Sequence, residues 1–379
     1  MDSRLRALWL TGRDGPQSLQ LREGPLPIPG AGEVRIQVEA CGVNFADILA
    51  SHGLYPDAPR TPCVLGYEVS GIVDAVGANV ETAVIGTRVL SMTKFGGYAD
   101  VVCVPAQHVA AMPEAMTFEE GAALPINYVT AYHRLHRIAR IQPGELVLVH
   151  QAAGGVGIAA LQLCRTIPDI TTFGTASRAK HDALKAQGCR YPIDYHSTNY
   201  AKEIRRLTGG AGVDVVLDAL GGSDWRKGYE LLKPGGRLIC FGFANLSVGP
   251  KRNMLRVLGQ LWRVPKFSPL KLMSDNRVVA GVNVGHLDAD QAVLHQALNA
   301  IIELYKSGAV KPVIDAVVPF SQAASGLERL RDGKNVGKVV LVPNEKASCP
   351  VQRPNRPGLN ERSAARRRSR RFRRVAPRP

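Results

Sequence analysis

Between Leu146 and Gly157 the chain reads Leu-Val-Leu-Val-His-Gln-Ala-Ala-Gly-Gly-Val-Gly. Ala152, Gly154 and Gly157 hold the three small positions of a G-x-G-x-x-G-type turn, with Gly155 and Val156 filling the intervals. Between a strand and a helix, that spacing suits one task. Gly154 lets the backbone approach a pyrophosphate, Gly157 lets the helix close on the strand, and the free N–H groups of the first helical turn face the phosphates. A glycine-rich turn alone is weak evidence; inside a strand–helix alternation it predicts a dinucleotide site. The end of the second strand then selects the dinucleotide. An NAD site places an acid there for the ribose hydroxyls, whereas this chain has Gly174-Thr-Ala-Ser-Arg-Ala-Lys180. Ser177, Arg178 and Lys180 offer one hydroxyl and two cations, a set suited to a 2′-phosphate, so the cofactor predicted is NADP(H).

The cysteines point away from metal and disulfide chemistry. All seven, at 41, 63, 103, 164, 189, 240 and 349, are scattered without a C-x-x-C pair. This argues against a structural zinc lobe and against a disulfide framework, and a reducing cytoplasm is the compartment expected. Apolar residues at 45% and charged residues at 21% match a soluble globular chain, and 379 residues leave room for two domains. The first residues lack a basic-then-apolar signal, and no stretch joins spanning length to pure apolarity. The net charge of +16 is unevenly placed. Residues 344–379 hold one Lys and eleven Arg against two Glu, so ten of the sixteen charges sit there. With few aliphatic side chains that tail is expected to be disordered and solvated, and it carries no groove-reading motif, so no specific nucleic-acid partner is expected.

These chemical groups need elements to hold them. Glu33 to Glu39 alternates apolar and polar residues as a half-buried strand does, and Gly71–Val76 and Ala99–Val104 read similarly, separated by glycine turns. The first 126 residues therefore read as a β-rich domain. From Asn127 the rhythm changes to strands at Leu146–Val149, Thr171–Phe173, Tyr191–Ile193, Val213–Leu217, Arg237–Phe241 and Val278–Val282. Helices over Ile158–Arg165, Ala179–Ala186 and Tyr200–Leu207 lie between them, which predicts a parallel sheet with right-handed crossovers over 127–286. A helix at Gln291–Ser307 leads back to strands at Val313–Val318 and Val339–Val342. Segment 287–343 thus reads as a return to the first domain.

Several motifs resemble the medium-chain dehydrogenase/reductase superfamily, in particular its zinc-free quinone oxidoreductase branch. They are Cys41-Gly-Val-Asn-Phe-Ala-Asp47, Gly66-Tyr-Glu68, Gly71-Ile-Val-Asp-Ala-Val-Gly77, the 152–157 turn and Asn335-Val-Gly-Lys338. Asn245 to Asn253 and Asn335 to Pro343 are similar to the synaptic vesicle amine transport protein homologue subgroup. The resemblance covers about residues 5 to 343 and implies an α/β fold, a β-rich GroES-like catalytic domain carrying an inserted six-stranded Rossmann domain. Zinc alcohol dehydrogenases of the superfamily carry Cys and His where Asn44 and Tyr67 stand here. Cys41 and Glu68 remain, too few for a tetrahedral site, so no metal is expected. A conjugated acceptor can spread incoming charge without a Lewis acid, which directs the expectation to a quinone or enone.

By the same resemblance, Asn44 should lie near the nicotinamide and donate to an acceptor oxygen, and Tyr55 matches the proton-donating tyrosine of enoyl reductases. Asp47 is expected to orient the loop rather than move protons, and His52 to sit on a surface loop. Asn127 and Thr130 are expected nicotinamide-side contacts, Tyr195 an adenosine-side one, and Asn335 with Lys338 closes the cleft. Lys251 to Lys271 interleaves Leu255, Leu258, Leu261, Trp262, Phe267 and Leu270 with cations. Such a basic amphipathic segment covers a cleft, buries its face in a homodimer, or lies on an anionic membrane. The function expected is NADPH-dependent, zinc-free hydride transfer to a quinone or similar conjugated carbonyl. The alternatives are an enoyl-thioester or alkenal reductase, or a cofactor-binding membrane- or lipid-associated protein.

Overall fold

Leu146–Val149 is apolar at every position because it is the centre of a sheet covered on both faces. The computed structural model describes residues 4–81, 83–246, 254–287 and 291–343. The tail beyond 343, and with it the expectation of disorder there, lies outside the described residues, as do Lys251, Arg252 and Asn253. The central sheet is parallel throughout, in the order Tyr191–Asp194, Thr171–Ala176, Leu146–Val149, Val213–Asp218, Leu232–Cys240, Val278–Gly281. Chain order reverses between Leu146–Val149 and Val213–Asp218, so a crevice opens beyond the carboxyl ends of those two strands.

Glu33–Gly42 organises the other domain. It pairs antiparallel with Glu68–Val76, with Val101–Pro105 and with Lys338–Val342, Val340 lying opposite Gly42 and Leu341 opposite Cys41. Ile314–Pro319 runs parallel beside Lys338–Val342. The last strands of the fold are therefore stitched into a sheet begun by the first strands, and the parallel sheet is an insertion between them. The chain enters that insertion through the helices Phe118–Ala123 and Pro125–Tyr132. Thr117 starts the first: its hydroxyl accepts from the Glu120 N–H at 3.2 Å, and the Glu120 carboxylate accepts from the Thr117 N–H at 3.2 Å. The second runs on as a π-helical turn to Ala139 and stops at Arg140, whose φ of 46° is left-handed.

Three local expectations are corrected. The second strand of the parallel sheet runs three residues past Phe173 to Ala176, so Ser177 directly follows it. The expected helix at Ala179–Ala186 is a single turn at Arg178–Lys180 followed by His181–Ala186. The 251–271 segment holds two short helices, Met254–Trp262 and Pro269–Asp275, because Pro265 ends one and Ser268 and Pro269 start the next. None of the side chains of Met254–Trp262 lines the cleft. Leu255, Leu258, Trp262, Leu270 and Met273 instead face outward, from 58% exposed at Leu258 to 88% at Trp262. Cleft cover is thus not the task of this face. Phe267 differs, packing against Tyr229 at 4.9 Å between ring centroids.

Candidate active site

The crevice beyond Val149 and Leu217 is lined by both domains, Asn44, Tyr55, Tyr67, Asn127, Lys338 and the 153–157 turn among them. Gln151 reverses the chain at a φ of 50°, and Gly154 precedes the helix Gly155–Cys164. A side chain at Gly154 would meet no atom closer than Gln151 O at 3.3 Å, so this position is left open to a ligand. At Gly157 a Cβ would stand 2.5 Å from Gln151 O and 2.6 Å from Ala152 Cα, backbone that cannot yield. At Gly155 a Cβ would collide with the Asn127 amide. Ala152 is buried and does not line the cleft; it packs beneath Gly174. The cradle accordingly fits a pyrophosphate over Gly154 to Gly157 with the helix N–H groups facing it.

Ser177, Lys180 and Tyr195, expected at the adenosine side, line the same crevice. Arg178 does not: it is exposed and outside the lining, because the strand's extension turns it outward. Lys180 is half-buried, and its ammonium donates to the carbonyls of Gly333 and Asn335, each at 2.6 Å. Burial lowers its pKa. Its remaining N–H is the one cation donor of the expected trio available to a 2′-phosphate. Gly337 N–H in turn donates to Ala153 O at 2.8 Å, so the 333–337 loop is tied directly to the phosphate turn. Asn335 is buried within that loop, its amide donating to Gly337 O at 2.8 Å. Replacing Lys180 with Met should weaken NADPH binding by about tenfold, one charge-assisted contact, and NADH binding far less. Parallel fluorescence titrations check the ratio.

Asn44, expected near the nicotinamide, is 8% exposed and held at both ends of its amide. Its Nδ2 donates to Glu68 Oε1 at 2.9 Å, and its Oδ1 accepts from Lys338 Nζ at 2.8 Å. Asp47 is fully buried and outside the lining. It accepts from the Asn44 N–H at 2.8 Å, the Tyr98 hydroxyl at 2.8 Å and the Gly66 N–H at 3.3 Å. Burial pushes its pKa up to about 6. It holds the Asn44 loop in place and does not face a reactant. His52, expected at the surface, is 2% exposed under the Gly15 turn. Tyr55 lies half-buried at the rim, edge-on to Tyr67 at 6.2 Å, and burial raises its hydroxyl's pKa. Beside it Asp57 accepts from His286 Nε2 at 2.8 Å across the mouth of the cleft, which lowers the Asp57 pKa.

Asn127, Thr130 and Arg134 share one face of their helix at three- and four-residue spacing, and all line the cleft. Arg134 has no counterpart in the sequence reading. It is 3% exposed, donates to Thr130 O at 2.6 Å and Val282 O at 3.2 Å, and lies over the Phe241 ring at 4.3 Å. Burial pushes its pKa down to about 9. His150 and Asp218, at the ends of the two strands flanking the crevice, were also missed. His150 Nδ1 meets Thr175 Oγ1 at 3.1 Å, while its Nε2 stands 3.9 Å from Asp218 Oδ2, both of these atoms buried without a hydrogen bond. A strand-end position was the available signal for both.

Among the described residues no three His, Cys, Asp or Glu side chains converge as a metal site would require. Asn44 and Tyr67 supply an amide and a phenol, and Glu68 is engaged by Asn44, Lys338 and the Ile126 N–H. The residues present do not fit a catalytic zinc. Two family models match: an alcohol dehydrogenase GroES-like domain over residues 30–114 and a zinc-binding dehydrogenase domain over 187–341. The rat synaptic vesicle membrane protein VAT-1 homolog is 46% identical over 341 residues, covering 89% of this chain and 84% of that protein. The crystal structure of the human VAT-1 homolog-like protein matches with a TM-score of 0.79 at 35% identity, covering 90% of this chain and 98% of the other. Escherichia coli quinone oxidoreductase complexed with NADPH matches with a TM-score of 0.79 at 27% identity, covering 89% and 100%. An inserted parallel sheet of order 3-2-1-4-5-6, a phosphate turn at its switch point and relatives of this closeness give one conclusion: the chain belongs to the VAT-1 family of the medium-chain dehydrogenase/reductase superfamily.

Proposed function

We propose that the protein reduces quinones or similar conjugated carbonyls with NADPH and without a metal. The observation that carries this reading is the convergence, in one cleft, of a glycine turn open at Gly154 with the Asn44 amide N–H. When bound, NADPH supplies the hydride. Gly154 to Gly157 would hold its pyrophosphate, Ser177 and Lys180 its 2′-phosphate side, and Asn127 and Thr130 its nicotinamide side. The chain's own contribution is then to exclude water, orient the acceptor and meet its growing negative charge with the Asn44 N–H. That demand is modest for an acceptor whose conjugation spreads the charge.

Tyr55 favours a second reading, reduction of an enoyl thioester or alkenal, in which the phenol delivers the proton to carbon. The two separate cleanly. Tyr55→Phe should leave quinone turnover within about twofold and lower enoyl-thioester turnover by about 10²-fold. Turnover of enoyl thioesters alone, lost in Y55F, would replace the first reading with the second.

We also infer a homodimer. Val278–Gly281 is the edge of the parallel sheet, Val278 is 49% exposed, and Leu255, Leu258, Leu270 and Met273 of the two preceding helices are exposed as well. Val278→Lys together with Leu270→Glu should convert the dimer to a monomer by light scattering. A monomeric wild type that instead floats with phosphatidylserine vesicles would reassign this face to a membrane. No described helix is long and apolar enough to cross one.

A further inference from the structure

Four stretches far apart in the chain meet at one carboxylate. Glu68 Oε1 accepts from Asn44 Nδ2 at 2.9 Å and from Lys338 Nζ, while Oε2 accepts from the Ile126 N–H at 2.7 Å. Lys338 also donates to Asn44 Oδ1 at 2.8 Å. Glu68 is fully buried and Lys338 is 3% exposed. Space for the pair is made by Gly42, where a Cβ would stand 2.5 Å from Glu68 Oε1 and 2.6 Å from Lys338 Cε. A buried ion pair is a poor means of gaining stability, since desolvation offsets most of its attraction. Its geometry has a more specific consequence.

An ammonium only donates and a carboxylate only accepts. Lys338 therefore fixes which end of the Asn44 amide is oxygen, and Glu68 fixes which end is nitrogen. Of the two Nδ2 hydrogens one goes to Glu68, and the other has only Gly42 O at 3.4 Å within reach, a long contact. Asn44 lines the cleft, and an acceptor oxygen that entered beside it could share or displace this long bond to Gly42 O. Donation from Lys338 to Oδ1 polarises the amide and makes this N–H a better donor. We propose that Lys338, clamped by Glu68, is a positioning residue for the reduction: it locks and polarises Asn44 as an oxyanion donor. Glu68 also holds the N-terminus of the helix bearing Asn127 and Thr130, so the pair sets the acceptor's donor relative to the nicotinamide side. This inference rests on the function proposed above, in which an acceptor oxygen gains charge beside Asn44.

The test is a double-mutant cycle on the full chain with a probe that does not need turnover. Lys338→Met and Asn44→Ala should each lower kcat for quinone by about 10²-fold, the scale of one lost oxyanion donor, with the NADPH Kd within about threefold of wild type. The double variant should fall no lower than Asn44→Ala alone. In the second arm 4-nitrophenol is titrated in the presence of NADP+, and its phenolate band is followed. Wild type should lower the bound phenol's apparent pKa, and K338M and N44A should lose that shift equally. Lys338→Gln, which keeps donors to both partners, covers the case in which K338M does not fold, and should retain part of the shift. A further tenfold loss on adding K338M to N44A, or a phenol shift untouched by K338M or K338Q, overturns the proposal. Absence of quinone turnover in wild type would overturn the function reading alone, and the phenol arm would still decide this one.

Discussion

Gly157→Ala is expected to abolish measurable NADPH binding, a loss of more than about 10²-fold, and to lower the melting temperature. The reason is local and steric. The new Cβ would stand 2.5 Å from Gln151 O and 2.6 Å from Ala152 Cα, so the turn or the helix Gly155–Cys164 must move. Either movement displaces the N–H groups that would face the phosphates, and affinity for a dinucleotide depends on that alignment. Gly154→Ala is the informative contrast. Its Cβ meets nothing closer than 3.3 Å, so the fold should keep its stability while binding weakens, because the methyl group intrudes where the pyrophosphate would lie. Isothermal titration with NADPH and thermal melts of both variants check the pair. Equal binding by Gly157→Ala and wild type would remove the cofactor site from this turn.

The second large effect concerns Asn44. Asn44→Ala should lower kcat by about 10²-fold with little change in NADPH affinity, because it would remove the amide proposed to meet the acceptor oxygen and leave the cradle alone. Asn44→Asp should be worse than alanine despite its matching shape. A carboxylate there lies beside Glu68, whose Oε1 is 2.9 Å from Nδ2, and one Lys338 ammonium would face two carboxylates. It would also repel the negative charge arriving on the acceptor. The order wild type, then Ala, then Asp in kcat is the signature of an oxyanion donor. A metal ligand would exchange the two variants, with Asp better tolerated than Ala.

What the sequence disclosed follows from the range of the interactions involved. Leu146–Val149 and Tyr200–Leu207 have the bounds expected from the sequence, because a doubly covered strand and a strongly amphipathic helix carry their pattern locally. Arg4–Leu10, paired with Leu19–Pro25, was not read as a strand, since its burial follows Ala7, Leu8 and Leu10 and not simple alternation. Arg178 and Lys180 looked equivalent as cations near a strand end. Three additional strand residues set the turn that exposes one and buries the other. His52 has a loop-like sequence context, yet the Gly15 turn covers it. Asn44 and Lys338 are 294 residues apart, and only the antiparallel seam of Lys338–Val342 on Glu33–Gly42 brings them together. No periodicity over a short window encodes such a pairing. The glycine turn was legible for the opposite reason, since all of its requirements fall within six residues.

The central claim is tested most directly by following NADPH and NADH oxidation side by side on the full chain, with a panel of ortho- and para-quinones and a metal chelator throughout. The account predicts turnover that prefers NADPH by at least about tenfold, as Lys180 beside a 2′-phosphate requires, and is indifferent to the chelator. Turnover that is lost with the chelator and restored by zinc, or that prefers NADH, would contradict it.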